Sequence, residues 1–303
     1  MSKQDIEETY SRKLVEIKEM ITAKTLLLGL IGYPVSHSLS PVMHNAAFKK
    51  LGLDYIYLVF PVKSNKDLKR AIEGLRAINF KGANVTIPYK EEVIKYLDEI
   101  SKEAKLIGAV NTIENIEGKL YGYNTDSFGF IKSLKEEINT SLKDKKVFIL
   151  GAGGAAKAVA FSLVFEGVSE VIFADKFKEK AVSLSKYMKK KTNGKYLAIN
   201  LEDVKLGKKI NLADLIINAT SVGMKEEDPL PLEVKYLRKD QIIYDLVYNP
   251  SQTLLLKEGE KLNLKVISGL GMLLYQGAKS FEIWTKVKAP IEVMKRSLIE
   301  NLD

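Results

Sequence analysis

Val147-Phe148-Ile149-Leu150 runs directly into Gly151-Ala152-Gly153-Gly154-Ala155-Ala156, and Lys157-Ala-Val-Ala-Phe-Ser-Leu-Val follows at once. An apolar run, a glycine turn and a helical pattern make a strand–turn–helix. The turn fits G-x-G-x-x-A at Gly151, Gly153 and Ala156. Glycine lets the backbone turn tightly and approach a pyrophosphate, which then lies at the positive end of the helix. An unliganded tight turn would use the same glycines, so the surroundings must decide. The next apolar run, Val171–Ala174, ends at Asp175, 24 residues beyond Gly151, where an acidic side chain reaches the adenosine ribose hydroxyls. Dinucleotide binding is therefore expected, with Gly151, Ala152, Gly153, Gly154 and Ala155 on the phosphate side. Asp175 favours the free 2′-hydroxyl of NAD. Lys176, Lys178 and Lys180 follow it and can offset the repulsion of a 2′-phosphate, so NAD and NADP both stay open, with NAD or dual use favoured.

Outward from this turn, short apolar runs alternate with helical patterns along the whole chain, which predicts an α/β protein with parallel sheets. The expected strands are Leu26–Ile31, Tyr55–Phe60, Gly82–Thr86, Val147–Leu150, Val171–Ala174, Leu215–Asn218, Ile242–Asp245 and Lys265–Ile267. Helical patterns include Pro41–Leu51, Asn65–Leu75, Lys90–Tyr96 and Ala155–Phe165. Several strands are continuously apolar, as expected when both faces are covered. A polar helix over 127–146 precedes a fresh strand and marks a boundary. The expectation is a substrate-binding domain at 1–126, with residues 271–303 packing back onto it, and a Rossmann dinucleotide domain at 127–270.

The composition narrows the chemistry. The chain has 303 residues, no cysteine and two histidines, His37 and His44. Disulfides, iron–sulfur clusters, thiolate zinc, cysteine nucleophiles and a three-histidine metal site are excluded, and no metal is expected. Acid–base work falls to a histidine, a carboxylate, a tyrosine or a lysine. The 47 basic residues exceed the 38 acidic ones by 9, but only Arg12, Arg70, Arg76, Arg238 and Arg296 are arginine. A lysine surplus without arginine's planar donors reads as solvated surface rather than a nucleic-acid interface. Ile6, Tyr10, Leu14, Ile17 and Ile21 recur at helical spacing in a charged N-terminus that is no secretory signal. This segment is expected to pack on the body or on a second subunit of a homodimer. No run is long and unbroken enough for a membrane span, so a cytoplasmic protein is expected.

Four segments in the first half place polar residues beside strand ends. Ser38 and Ser40 precede a helix; read locally, they cap it, and they are also placed to bind a carboxylate or polyol. Asn84 and Thr86 alternate on one strand and face the same way, with Lys90 near the next helix start. Gly108–Thr112 and Gly122–Asp126 are the others, and Asp126 is placed to cap the helix that follows.

Together these residues resemble the shikimate dehydrogenase family. The matching segments are S-H-S-L-S-P (36–41), N-V-T-I-P-Y-K (84–90), A-V-N-T (109–112), N-T-D (124–126), G-A-G-G-A (151–155), N-A-T-S-V-G-M (218–224) and G-L-G-M-L-L-Y-Q-G-A (269–278). They stand in the family's order over roughly residues 26 to 285. H-S-L-S-P and the W-T pair at 284–285 look closest to the branch that also uses quinate. The resemblance implies reversible reduction of 3-dehydroshikimate to shikimate by a nicotinamide cofactor. It implies that Ser38 and Ser40 hold the substrate carboxylate, that Thr86, Asn111 and Gln276 bind ring hydroxyls, and that Lys90 and Asp126 are the catalytic pair. It assigns Tyr248 and Gly269 to the substrate and nicotinamide sides, and Thr220 to the cofactor side. Where NADP-using members commonly carry Asn-Arg-Thr, this chain has Asp175-Lys176-Phe177, with Lys176 as the cofactor-side cation. Residues 1–24 extend beyond many members.

Two alternatives accompany this reading. One is a dehydrogenase acting mainly on quinate with NAD. Some quinate-preferring relatives carry threonine at the second serine position, so Ser40 favours shikimate. The other is a non-catalytic dinucleotide-binding regulatory protein, against which the presence of both Lys90 and Asp126 argues.

Overall fold

The computed structural model describes residues 21–78 and 80–302. Of the expected N-terminal helix at 1–24, all but the last four residues lie outside the described residues. Residues 22–25 form a turn in which Thr22 Oγ1 donates to Asp54 Oδ2 at 2.9 Å.

Two six-stranded sheets organise the chain. The first contains β1 (Leu26–Gly32), β2 (Tyr55–Pro61), β3 (Gly82–Val85), β4 (Glu99–Ile100), β5 (Thr112–Ile116) and β6 (Lys119–Tyr123), in the order β2-β1-β3-β5-β6-β4. Strands β2, β1 and β3 are parallel, whereas β5 runs antiparallel to both β3 and β6. The second contains β7 (Lys146–Leu150), β8 (Glu170–Asp175), β9 (Tyr196–Asn200), β10 (Leu215–Asn218), β11 (Ile242–Asp245) and β12 (Lys265–Ser268). Its order is β12-β11-β10-β7-β8-β9, parallel throughout. That is the doubly wound Rossmann order, whose topological switch lies between β7 and β10.

All eight expected strands form. The continuous apolar runs Val147–Leu150 and Val171–Ala174 are buried along their length because helices cover both faces. Strands β4, β5, β6 and β9 escape the sequence reading. The hairpin β5–β6 closes through Glu117 and Gly118, at φ 51° and 83°, without the Asn-Gly or Asp-Gly pair that usually announces such a turn.

The helical expectation over Lys90–Tyr96 is corrected. A short 3₁₀ turn spans Glu92–Tyr96 instead. The Lys90 carbonyl accepts the Val110 N–H at 2.7 Å, so it is drawn across to the neighbouring segment. The other three named helices form as Ser40–Leu51, Asn65–Ala77 and Gly154–Phe165. Ser64 starts the second by accepting the Asp67 N–H, and Gly52, at φ 62°, ends the first.

The C-terminal helices Leu270–Thr285 and Ile291–Ile299 return to the first sheet. Leu274, Phe281, Trp284, Met294 and Leu298 share one core with Leu28, Phe48 and Tyr57. Trp284 is 1% exposed and donates its ring N–H to Ile113 O at 2.8 Å, which ties that helix to β5. Burying such a side chain contributes about 3 kcal/mol. The first unit is therefore discontinuous in sequence. Helix Asp126–Glu137 lies between the two sheets. Its Phe130 and Leu134 join the core of the second sheet, while Gly129 lies so close to Gln276 that a Cβ would come within 2.6 Å of its backbone nitrogen.

Candidate active site

The Lys90 ammonium donates to Asp126 Oδ2 at 2.6 Å, with side chains 14% and 5% exposed. Thirty-six residues separate the two in sequence. The turn after β3 carries Lys90, and Asp126 opens the helix that follows β6. Asp126 does not cap that helix, as the sequence reading expected. Asn124 Oδ1 accepts the Asp126 and Ser127 N–H groups, which frees the Asp126 carboxylate to face Lys90. Its second oxygen accepts from Asn111 Nδ2 at 2.9 Å, and the same nitrogen approaches Gln276 Oε1 at 3.3 Å. Lys90, Asp126, Asn111 and Gln276 thus meet at one place.

The serine expectation needs a similar correction. Helix Ser40–Leu51 has Leu39 at its N-cap and no side-chain cap. Ser38 Oγ accepts the Ser40 N–H at 3.2 Å. The Ser40 hydroxyl meets the buried Tyr57 phenol, and the Ser38 hydroxyl meets that of Tyr248, which arrives from the loop after β11. Burial raises the pKa of both tyrosines, keeping them protonated. Ser38 and Ser40 therefore gather with two phenols. Thr86 stands at the end of β3, where its N–H bonds Ile31 O, and its methyl closes against Gly32.

Asn84, on β3, is buried and its side chain bridges neighbouring strands. It accepts from Tyr57 Oη at 2.8 Å and donates to Asn111 O, Thr112 Oγ1 and Ser280 Oγ. A continuous buried network thus runs from Tyr57 through Asn84, Thr112, Ser280 and Thr125 to Asn111 and Asp126. Sequence reasoning missed Ser280, Thr125 and Tyr57. Neither histidine joins this group. His37 is exposed, whereas His44 is fully buried between Tyr57 and Trp284 with both ring nitrogens unpartnered. Burial pushes the His44 pKa down to about 3, so this ring is neutral.

Across from Lys90 lies the glycine turn. Lys90 Cβ is 3.4 Å from where a Cβ on Gly154 would stand. Gly151, at φ 97°, packs against Ala219 O and the Thr220 methyl at the end of β10, which is the switch point. A Cβ on Gly153 would meet nothing within 4 Å, and the helix that starts there has no side-chain cap and no acidic residue in its first turn. This open cradle of backbone donors suits a pyrophosphate. Ala152 and Ala155 flank it, both partly exposed. Thr220 bends back: its hydroxyl donates to Asn218 Oδ1 at 2.7 Å and accepts the Val222 N–H. Asn218 also donates to Asp245 Oδ1, and Asp245 Oδ2 accepts from Thr253 Oγ1. Burial pushes the Asp245 pKa up to about 6. Gly269 packs so tightly on Leu246 O that a Cβ would come within 2.2 Å.

Asp175 ends β8, and its Oδ1 accepts the Phe177 N–H at 2.8 Å. The ammonium groups of Lys176 and Lys180 both lie over the exposed Phe177 ring, 5.1 and 5.0 Å from its centre. Among the described residues, no cluster of three histidine or carboxylate side chains could hold a metal ion, and no helix is long and apolar enough to cross a membrane.

Comparison with known proteins agrees with this geometry. Three family models match: the shikimate dehydrogenase substrate binding domain over residues 30–113, shikimate/quinate 5-dehydrogenase over 133–225, and the shikimate 5′-dehydrogenase C-terminal domain over 269–299. The shikimate dehydrogenase (NADP+) of Methanocaldococcus jannaschii is 50% identical over 289 residues, which cover 93% of this chain and 99% of that protein. A crystal structure of a shikimate dehydrogenase in complex with NADP+ superposes with a TM-score of 0.85 at 48% identity, covering 94% of this chain and 98% of that one. A quinate dehydrogenase from Corynebacterium glutamicum in complex with NAD gives 0.83 at 31% identity, covering 91% and 99%. Family models, sequence identity across nearly the full length and the fold converge: the chain belongs to the shikimate dehydrogenase family.

Proposed function

We propose that this protein catalyses the reversible, NADP-dependent reduction of 3-dehydroshikimate to shikimate. The observation that carries the reading is the Lys90–Asp126 pair, held by Asn111 and facing the open cradle at Gly153. Gly151 to Ala155 would hold the pyrophosphate, and Gly269 would face the nicotinamide side. The dinucleotide, when bound, supplies or accepts the hydride.

The chain's own residues do the rest. Hydride addition to a ketone leaves a developing alkoxide that needs a positioned donor and a proton. The Lys90 ammonium is a compact cation with three donors: one binds Asp126, and another can serve the reacting oxygen and pass it a proton. Asp126 anchors the ammonium and, with Asn111, fixes its direction. In the oxidative direction Lys90 takes the hydroxyl proton back. Ser38 and Ser40, backed by Tyr248 and Tyr57, suit a carboxylate. Thr86, Asn111 and Gln276 suit ring hydroxyls.

NADP is favoured over NAD by the cations Lys176 and Lys180, both gathered at Phe177 beyond β8, which suit a 2′-phosphate. The NADP-dependent archaeal relative supports the same choice. Asp175 is occupied in a turn with the Phe177 N–H, which moderates the repulsion its carboxylate would otherwise exert. Steady-state rates on shikimate and on quinate, each with NADP and with NAD, test the proposal. The expected result is the highest kcat/KM for shikimate with NADP. A preference for quinate with NAD would transfer the assignment to the quinate branch, and cofactor binding without turnover on either would leave a regulatory protein.

A further inference from the structure

Lys157 occupies an unusual place. It lies one turn into the helix Gly154–Phe165, where an ammonium gains nothing from the helix dipole, yet it is only 8% exposed. Its ammonium donates to Glu91 Oε2 at 3.2 Å and lies 4.2 Å from the centre of the Tyr187 ring. Tyr187, on the helix Lys178–Lys191, donates its hydroxyl to Leu106 O at 3.0 Å. Leu106 belongs to the helix Lys102–Ile107, whose C-cap Gly108 adopts φ 72°. A Cβ on Gly108 would come within 2.5 Å of the Tyr187 hydroxyl and 3.3 Å of the Lys157 ammonium.

Two segments from the body of the first sheet, at 90–91 and 102–108, therefore meet two helices of the second sheet around one ammonium. Glu91 follows Lys90 directly, and Lys90 Cβ already packs at Gly154. The helix that presents the glycine cradle is thus tied by Lys157 to the turn that presents the catalytic lysine.

We propose that the Lys157–Glu91 ion pair, seated on Tyr187, sets the position of the dinucleotide cradle relative to Lys90, making both residues positioning residues for hydride transfer. Its effect on catalysis rests on the proposed function. Burial under Tyr187 and Glu91 leaves the ammonium engaged at the joint rather than presented to a phosphate. An ion pair whose carboxylate is half exposed is a modest interaction, so the expected effects are severalfold rather than thousandfold.

Wild type, E91Q, K157M, E91Q/K157M and K157R test this with kcat, both KM values and the primary isotope effect of deuterated NADPH. In E91Q and in K157M, kcat should fall about fivefold, the KM for the shikimate-class substrate should stay within twofold, and the isotope effect should rise. The double variant should be no worse than the poorer single one, and K157R, which keeps the charge over Tyr187, should recover most of the rate. The proposal is overturned if E91Q is unchanged while K157M raises only the dinucleotide KM, since Lys157 would then serve a phosphate directly. It is equally overturned if both variants lose thermal stability at unchanged kcat and isotope effect. Should the wild type show no turnover, the proposed function fails separately. Calorimetry on the same variants would then decide: E91Q must weaken the coupling between NADP and shikimate binding, and unaltered coupling refutes the joint.

Discussion

Lys90 and Asp126 share a 2.6 Å hydrogen bond whose carboxylate end is held by Asn111, so the carboxylate cannot follow the ammonium away without breaking a second contact. On the proposed mechanism, removing the ammonium removes both the charge that meets the developing alkoxide and the proton it needs. Lys90→Ala should lower kcat about 10³-fold while leaving the KM for shikimate nearly unchanged. Asp126→Asn keeps the shape but loses the anchor's charge and should cost about 10²-fold. Near-normal turnover of Lys90→Ala would remove it from the chemistry.

Gly153 and Gly151 separate the proposed binding role from a folding role within one turn. A Cβ on Gly153 points into open space, so Gly153→Ala should leave the melting temperature within about 2 °C. The same methyl would stand where the pyrophosphate must approach, raising the dinucleotide KM about tenfold. Gly151→Ala forces a positive φ on alanine and brings its Cβ within 2.8 Å of Ala219 O, so it should destabilise the fold by about 2 kcal/mol. Thermal melts and dinucleotide titrations of the two variants check the contrast.

The parts of the fold legible in the sequence are those where one physical signal dominates. Val147–Leu150 and Val171–Ala174 are buried on both faces, so their apolar runs announce strands. Thr112–Asn115 in β5 is equally buried but carries three polar side chains, Thr112 bonding Asn84, Glu114 accepting from Lys286 and Asn115 donating to Leu75 O, so apolar continuity does not mark it. Lys90 and Asp126 stood out through their motifs, whereas Ser280 did not. It lies 196 residues from Asn84 and reaches the network only because Leu270–Thr285 folds back on the first sheet. Read locally, Ser38, Ser40 and Asp126 look like caps, whereas it is Asn124 that accepts the first N–H groups of the helix Asp126–Glu137.

Lys176 and Lys180 both place their ammonium groups over the Phe177 ring, beyond the end of β8. If they meet a 2′-phosphate, Lys176→Ala/Lys180→Ala should raise the KM for NADP about tenfold and leave that for NAD within twofold. Asp175→Asn should weaken NAD more than NADP, since only the free ribose hydroxyl gains from the carboxylate. Equal changes for both dinucleotides would move the specificity elsewhere.

His44 gives the protein a predictable sensitivity to acid. Its pKa falls from 6.5 to about 3 on burial, so above pH 6.5 the folded and unfolded chains are both neutral there. Below pH 6.5 the unfolded chain takes up a proton that the folded chain refuses, and stability is lost progressively as pH falls from 6.5 toward 3. At pH 5 the loss is about 2 kcal/mol. Asp245 acts in the opposite sense. Its pKa, raised to about 6 by burial, contributes stability that is full below 3.8 and is lost as pH rises through 6. Replacing His44 alone leaves the Asp245 contribution in both proteins, so it cancels in the difference. His44→Phe keeps an aromatic ring between Tyr57 and Trp284. The variant should therefore gain about 2 kcal/mol on wild type between pH 8 and pH 5 in urea unfolding. An identical difference at both pH values would mean that the folded ring accepts a proton as readily as the unfolded one.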